Sequence, residues 1–222
     1  KSQELASQYF LMTSWGSSSK TNNMPQKIII VRHGETDYNL ERRMQGWLDI
    51  PLNKTGRDQA KIAATKLRGI KFDAIYSSDL IRAHETAKII SKTVKQSIII
   101  SPALRERDMG IFAGWAWESE HDPIKDSLWI EFESARDQDN LDWNKHSGES
   151  MRQMSERISV FMESLHSSHK DQIIVIVTHG GTINRILEKY QIKSTKEGFR
   201  MIKNASLLIL HKETTAYRLE EL

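Results

Sequence analysis

Two kinds of apolar pattern alternate along this chain. Ile28-Ile29-Ile30-Val31 and Ile173-Ile174-Val175-Ile176-Val177 are short, uninterrupted and β-branched, as in strands covered on both faces of a parallel sheet. Phe72-Asp73-Ala74-Ile75-Tyr76 and Ile98-Ile99-Ile100 predict two further strands, and Leu207-Leu208-Ile209-Leu210 and Tyr217-Arg218-Leu219 two terminal ones. Between them the spacing is helical. Asn53-Lys54-Thr55-Gly56 leads into a helix carrying Ala60, Ala63, Ala64 and Leu67 on one stripe, and Gly69 ends it. Ser77-Ser78-Asp79 offers N-caps for a helix from Leu80 to Lys92. Gly148-Glu149-Ser150 opens a long helix to about His166, with Met154, Ile158, Phe161 and Leu165 on one face, and a last helix runs from Gly181 to Tyr190. Asp37 to Met44 reads as a short helix or turn, 46–52 as a loop, and 103–114 as an irregular segment. Helices interleaved with apolar strands predict an α/β fold: a three-layer α/β/α sandwich with a mostly parallel central sheet.

The 222 residues suit one sizeable core, which we place at 25–222 as a single domain. Residues 115–147 depart from the rest in composition. They hold Trp115, Trp117, Trp129 and Trp143, and between Glu118 and Asp142 nine acidic residues stand against Lys125 and Arg136. This stretch reads as a helical insertion over the site. Residues 1–24 read as an extension, leader or tag. They are polar, Ser14–Ser19 resembles a linker, Tyr9-Phe10-Leu11-Met12 is too short for a signal-peptide core, and the chain opens on Lys.

Composition narrows the function classes. With 32 Lys+Arg against 29 Asp+Glu the net charge is +3, too balanced to argue for nucleic acid or a membrane surface as partner. The absence of cysteine excludes disulfides, thiolate catalysis and Cys-ligated zinc, and fits a reducing compartment, so a cytoplasmic location is expected. There is no Walker or Gly-x-Gly-x-x-Gly motif. His166 and His169 are spaced as metal ligands on a helix, but His at a helix C-terminus is favoured by the dipole, and no metal site is assigned.

The chemistry concentrates where the two strongest strands end. The first runs into Arg32-His33-Gly34-Glu35-Thr36 and the second into Thr178-His179-Gly180-Gly181. In open α/β sheets ligands bind at the strands' carboxyl ends. Two histidines delivered to one such edge suggest an anion site with a histidine nucleophile. His33 is the candidate: a neutral imidazole with one nitrogen free and the other held. Gly34 permits close backbone approach to a phosphate. Arg32, Arg82 and His179 would supply fixed positive donors, a guanidinium gripping two phosphate oxygens at once. A leaving alkoxide needs a proton from a carboxylic acid. In an extended Leu104–Asp108, Glu106 points opposite to Arg105 and Arg107 and is the candidate acid. Read alone, Arg82 is an ordinary surface helix arginine and Glu106 an ordinary ion-pair partner; the constellation gives them roles.

Together these residues resemble the histidine phosphatase superfamily, in the branch of the cofactor-dependent phosphoglycerate mutases, from about Lys27 to Leu210. The resemblance implies that His33 becomes phosphorylated. It matches Arg82 to the arginine of the Ser-Ser-Asp-Leu-x-Arg-Ala context, Glu106 to the Leu-Arg-Glu acid, His179 to the Thr-His-Gly histidine and Asn39 to a phosphate-contacting asparagine. Gln45, Gly46 and Gly180 are taken as further substrate-binding positions. Glu41-Arg42-Arg43-Met44-Gln45-Gly46-Trp47 is most like bacterial broad-specificity phosphatases.

Mutases of this branch usually carry Ser or Thr where Gln45 stands, an Arg-His-Tyr-Gly stretch after the acid, and a basic patch for the substrate carboxylate. Here Arg107-Asp108-Met109-Gly110 follows Glu106 and the insertion is acidic. Ser147-Gly148-Glu149-Ser150 replaces the usual Gly-Gly-Glu-Ser, and Phe112-Ala113-Gly114 lacks the carboxylate of the phosphatases' Trp-Glu-Gly. The expectation is therefore a metal-independent phosphatase acting on small phosphomonoesters without a cofactor. The alternatives are a cofactor-dependent phosphoglycerate mutase and a catalytically silent phosphate-binding or interaction domain.

Overall fold

Alternate residues of each central strand face opposite helical layers, which is why the strands are apolar throughout. In a computed structural model, Ile28 and Ile30 of β1 (Lys27–Arg32) and Ile174 and Ile176 of β4 (Ile173–Thr178) pack beneath α5 (Met151–Ser168) and α6 (Gly180–Lys189). Ile29, Val31, Val175 and Val177 face the other way, onto α2 (Lys54–Lys66) and α3 (Ile81–Val94). These side chains have essentially no exposure, and each stabilises the fold by about 1.5–3 kcal/mol. The result is the expected three-layer sandwich. The structure describes residues 23–116, 122–138, 140–192, 201–214 and 216–221. The leader and linker readings up to residue 22, and Trp117, lie outside the described residues. Met24 is buried in the core, and its carbonyl accepts the amide of Asp171 at 3.1 Å.

With β2 (Ala74–Ser77), β3 (Ile98–Ile100), β5 (Leu207–Lys212) and β6 (Tyr217–Glu221), the sheet has the order β3-β2-β4-β1-β5-β6. The first four strands in that order are parallel, while β5 pairs antiparallel with both β1 and β6. The register sets Arg32 against Thr178 and Ser77 against Val177. The carboxyl ends of β1, β4 and β2 therefore emerge side by side.

Two helices start on capping side chains, and the one cap expected from the sequence is not made. Asn53 caps α2 through Gly56 N at 2.8 Å, and Ser150 and Gln153 form a reciprocal box at the start of α5. Ser77-Ser78-Asp79 does not cap α3. Its N-cap is Leu80, which makes no side-chain cap, and the Ile81 amide is instead met by Asp49 Oδ1 at 2.9 Å. Ser78 and Asp79 direct their side chains elsewhere, as described below.

The described part of the insertion contains α4 (Pro123–Asp137), whose Leu128, Trp129 and Phe132 join Trp143 over Met44, Phe112 and Trp115 in a separate aromatic cluster. Its acidity is partly spent on the surface: Glu131 pairs with Lys145 at 2.7 Å and Asp142 with Arg152. The two histidines considered for metal each meet a tyrosine, His166 Nε2 with Tyr190 Oη and His169 Nε2 with Tyr76 Oη, both at 2.7 Å. Among the described residues, no helix is long and apolar enough to cross a membrane.

Candidate active site

His33 follows β1 directly, and its amide donates to Thr178 O at 2.9 Å, which ties it to the neighbouring strand end. Its Nδ1 lies 2.7 Å from Gly34 O. A carbonyl only accepts, so Nδ1 carries the hydrogen and Nε2 keeps its lone pair. Burial holds the pKa of this imidazole well below its ordinary value. Arg82 and Arg32 push it further down, and only the Gly34 contact opposes them. The ring is thus neutral at physiological pH, as a nucleophile must be.

His179 occupies the corresponding place after β4, at the N-cap position of α6. The two ring centroids are 5.2 Å apart. His179 Nε2 sits 2.9 Å from Ser78 Oγ, and Nδ1 is buried without a partner. Burial, then the charges of Arg82 and Arg32, depress its pKa well below the ordinary range.

Arg82 lies in the first turn of α3, beyond the end of β2, and is 1% exposed. Its guanidinium does not present an open fork. Nη1 donates to Leu48 O and Nη2 to Gly46 O, both at 2.8 Å, so the same group holds loop 46–48 in place. Nε has no partner. Burial lowers its pKa to about 10, against the pull of Glu106 and Asp49, so it is still a cation at neutral pH. Arg32 donates through Nη1 to Ile202 O, and its buried Nε likewise has no partner. Buried polar groups are normally paired. Here three N–H or ring-nitrogen groups flanking one histidine have no partner among the described residues.

Glu106 arrives on the segment with no regular structure, and that segment is fixed by its carbonyls. Leu104 O accepts Thr178 Oγ1 at 2.7 Å and Arg105 O accepts Thr182 Oγ1 at 2.8 Å. Ala103 O accepts Arg157 Nη1 at 2.8 Å, and Glu106 O accepts Trp47 Nε1 at 2.7 Å. The carboxylate itself receives Gly181 N on Oε2 and Arg107 N on Oε1, each at 2.9 Å. The two flanking arginines have partners of their own. Arg105 turns to Asp79 and stacks 4.7 Å over the Trp47 ring. Arg107 donates to Glu149 O at 2.7 Å and lies 5.0 Å over Phe132.

The remaining candidates are drawn together less directly. Asn39 Oδ1 accepts the Thr36 amide as part of the cap of α1 (Asp37–Leu40), and also accepts Asn204 Nδ2, which donates to His33 O at 3.1 Å. Gln45 Oε1 lies 3.0 Å from Thr36 Oγ1. Gly46 has φ +48°, and a Cβ there would come 2.9 Å from Met109 N. Gly180 passes beside Arg32, where a Cβ would stand 3.7 Å from Nε.

Gly34 has a packing role. Its amide donates to Thr86 Oγ1 at 3.1 Å, and a Cβ would collide with Gly56 O at 2.3 Å. Backbone packing against Gly56 by itself requires a glycine here. Ser78, Trp47, Thr178, Thr182, Arg157 and Asn204 were not among the sequence candidates. Only the Ser-Ser-Asp, Gln-Gly-Trp and Thr-His-Gly contexts hinted at three of them. A shallow cavity of about 300 Å³ is lined by Trp47, Asp108, Gly148, Glu149 and Gln153, none of which is a sequence candidate for catalysis.

Residues 28–222 match the family model of the histidine phosphatase superfamily, branch 1. Phosphoglycerate mutase-like protein 4 of Arabidopsis thaliana is 37% identical over 172 residues, covering 77% of this chain and 73% of that protein. The metal-independent phosphoserine phosphatase of the same plant is 32% identical over 199 residues, covering 89% and 81%. Among solved structures, a mycobacterial glucosyl-3-phosphoglycerate phosphatase in complex with VO3 superposes with a TM-score of 0.71 at 29% identity, over 88% of this chain and 98% of that one. The edge chemistry of β1 and β4 and these likenesses agree: this chain belongs to the histidine phosphatase superfamily, branch 1.

Proposed function

We propose that this protein is a metal-independent phosphatase that hydrolyses small phosphomonoesters through a phosphohistidine on His33. The observation that carries the reading is the set of unpaired buried groups around a neutral imidazole, Arg32 Nε, Arg82 Nε and His179 Nδ1, whose common complement is an anionic oxygen-rich group. In the first step His33 Nε2 attacks phosphorus and the P–O bond to the alcohol breaks. The leaving oxygen takes a proton from Glu106. In the second step Glu106 accepts a proton from water, which attacks the phosphohistidine, releases phosphate and restores Nε2. Arg32, Arg82 and His179 hold the equatorial oxygens throughout.

Phosphatase is favoured over mutase by the surroundings of the acid. Arg105 and Arg107, the cations nearest Glu106 in the chain, are spent on Asp79 and on Glu149 O. The relative named a metal-independent phosphoserine phosphatase supports both the reaction type and a small phosphorylated substrate.

The test is phosphate release from p-nitrophenyl phosphate with EDTA present, for wild type and His33→Ala. Turnover in EDTA that disappears in the variant is expected. No release from the wild type would overturn the proposal, and release that persists in His33→Ala would remove His33 as nucleophile.

A further inference from the structure

We infer that Ser78 is a positioning residue that holds His179 in its Nδ1–H form, so that His179 presents a proton to the site while His33 presents a lone pair. Ser78 has no exposure, so water does not serve it. Among the described residues its Oγ has two partners, the Leu80 amide at 3.3 Å and His179 Nε2 at 2.9 Å. An amide only donates, so it takes a lone pair of Oγ. The single hydroxyl hydrogen is left with one acceptor in reach, Nε2. A neutral imidazole whose Nε2 accepts must carry its hydrogen on Nδ1. The opposite tautomer would strand two groups at once: the serine hydrogen without an acceptor, and Nδ1 without a donor. In the assigned form only Nδ1–H is left over, on the ring that stands 5.2 Å from His33.

Both histidines are then Nδ1–H tautomers, turned to opposite purposes. His33 uses its Nδ1–H on Gly34 O and frees Nε2. His179 uses Nε2 on Ser78 and frees Nδ1–H. The charged groups that bear on His179, Arg82, Arg32 and Arg157, are all cations and oppose its protonation, which leaves tautomer choice rather than charge as the means of making it a donor. This also explains why Ser78 does not cap α3. Its hydroxyl is committed across the sheet edge to a residue 101 positions away. The kinetic consequence of the inference rests on the phosphatase reading, but the tautomer does not.

The experiment is a long-range proton–nitrogen correlation spectrum of 15N-histidine-labelled full chain, for wild type, Ser78→Ala and Ser78→Thr, followed by kcat/KM on p-nitrophenyl phosphate. In wild type and Ser78→Thr, His179 should show a protonated Nδ1 and an unprotonated Nε2. In Ser78→Ala the Nε2–H form should appear, with kcat/KM down about a hundredfold to a thousandfold, as when one donor to a developing anion is lost. Ser78→Thr should recover most of that loss. An Nε2–H or doubly protonated His179 in the wild type overturns the inference whether or not the variants fold. So does a tautomer unchanged in Ser78→Ala. The expected spectra from a wild type that releases no phosphate would support the inference and sink the phosphatase reading alone.

Discussion

Replacing Gly181 by Ala tests the proposed acid without touching any ionisable group. Gly181 is the second residue of α6, and its amide donates to Glu106 Oε2. A Cβ built there falls 2.2 Å from Glu106 Oε1, where ordinary contact begins near 3.4 Å. The carboxylate must therefore retreat by about 1 Å, and a misplacement of that size costs on the order of 100-fold in rate, about 2.7 kcal/mol at the transition state. The fold should tolerate the change, because the obstructed atom ends a flexible side chain and alanine is the better helix former by about 1 kcal/mol. The assay compares kcat/KM for p-nitrophenyl phosphate and for an alkyl phosphate such as phosphoserine. Because kcat/KM reports the phosphorylation step, it isolates the acid's first role. Nitrophenolate leaves as a stable anion and needs little help, whereas an alkoxide needs the full proton. We predict a loss near 100-fold on the alkyl ester, a much smaller loss on the aryl ester, and an unchanged melting temperature. Equal losses on both substrates would refute the role of Glu106 as proton donor, and no loss on either would refute the assigned geometry.

Gly34→Ala should behave in the opposite manner. Its Cβ meets backbone, Gly56 O at 2.3 Å and Gly56 C at 2.8 Å, so strands and helix must part, at a cost of about 1–3 kcal/mol in urea unfolding; an unchanged midpoint would contradict that packing. Acid should weaken the fold before carboxylates titrate. His33 and His179 are held neutral well below 6.5, and His166 is lowered to about 4, all chiefly by burial. The unfolded chain protonates these rings near pH 6.5 and the folded one does not, so stability is fully present above that pH. It falls as the pH drops, by up to about 1.4 kcal/mol per unit for each fully buried histidine. Urea midpoints measured from pH 7.5 to 5 should decline, and His166→Phe should make the decline shallower by up to one proton. A flat profile over that range would show that these rings protonate in the folded state.

The fold was readable because the central strands leave the chain little choice. Five consecutive β-branched residues at Ile173–Val177 satisfy neither an alternating nor a helical pattern, and a strand with helices on both faces buries the last four of them completely. Boundaries drifted where side chains had other employment. The Ser77-Ser78-Asp79 cluster has the composition of an N-cap, yet Ser78 serves His179 and Asp79 serves Arg105, and the helix start is capped by Asp49 from a distant loop. Local propensity favours a cap at that position and cannot register a partner 101 residues away.

The candidate site shows the same division between residues named by their neighbours in sequence and residues named by their neighbours in space. His33 and His179 were legible because each ends an unmistakable strand, and parallel pairing of those strands then obliges the two rings to meet. The supports of Glu106 were not legible. Thr178 and Thr182, four apart across the β4–α6 junction, catch the carbonyls of Leu104 and Arg105, while Trp47 and Arg157 reach the same segment from two further elements. Nothing in 103–107 marks it as rigid, and by pattern it is a loop. A loop gains rigidity when its carbonyls are bonded from outside, and those donors lie far away in sequence. Arg82 makes the point most sharply. Its place after Ser-Ser-Asp suggested a free phosphate fork, but two of its nitrogens bind Leu48 O and Gly46 O. One guanidinium thus positions the loop bearing Gln45 and Trp47 and still leaves Nε for an anion, so a substitution at Arg82 should disturb the loop and the anion site together.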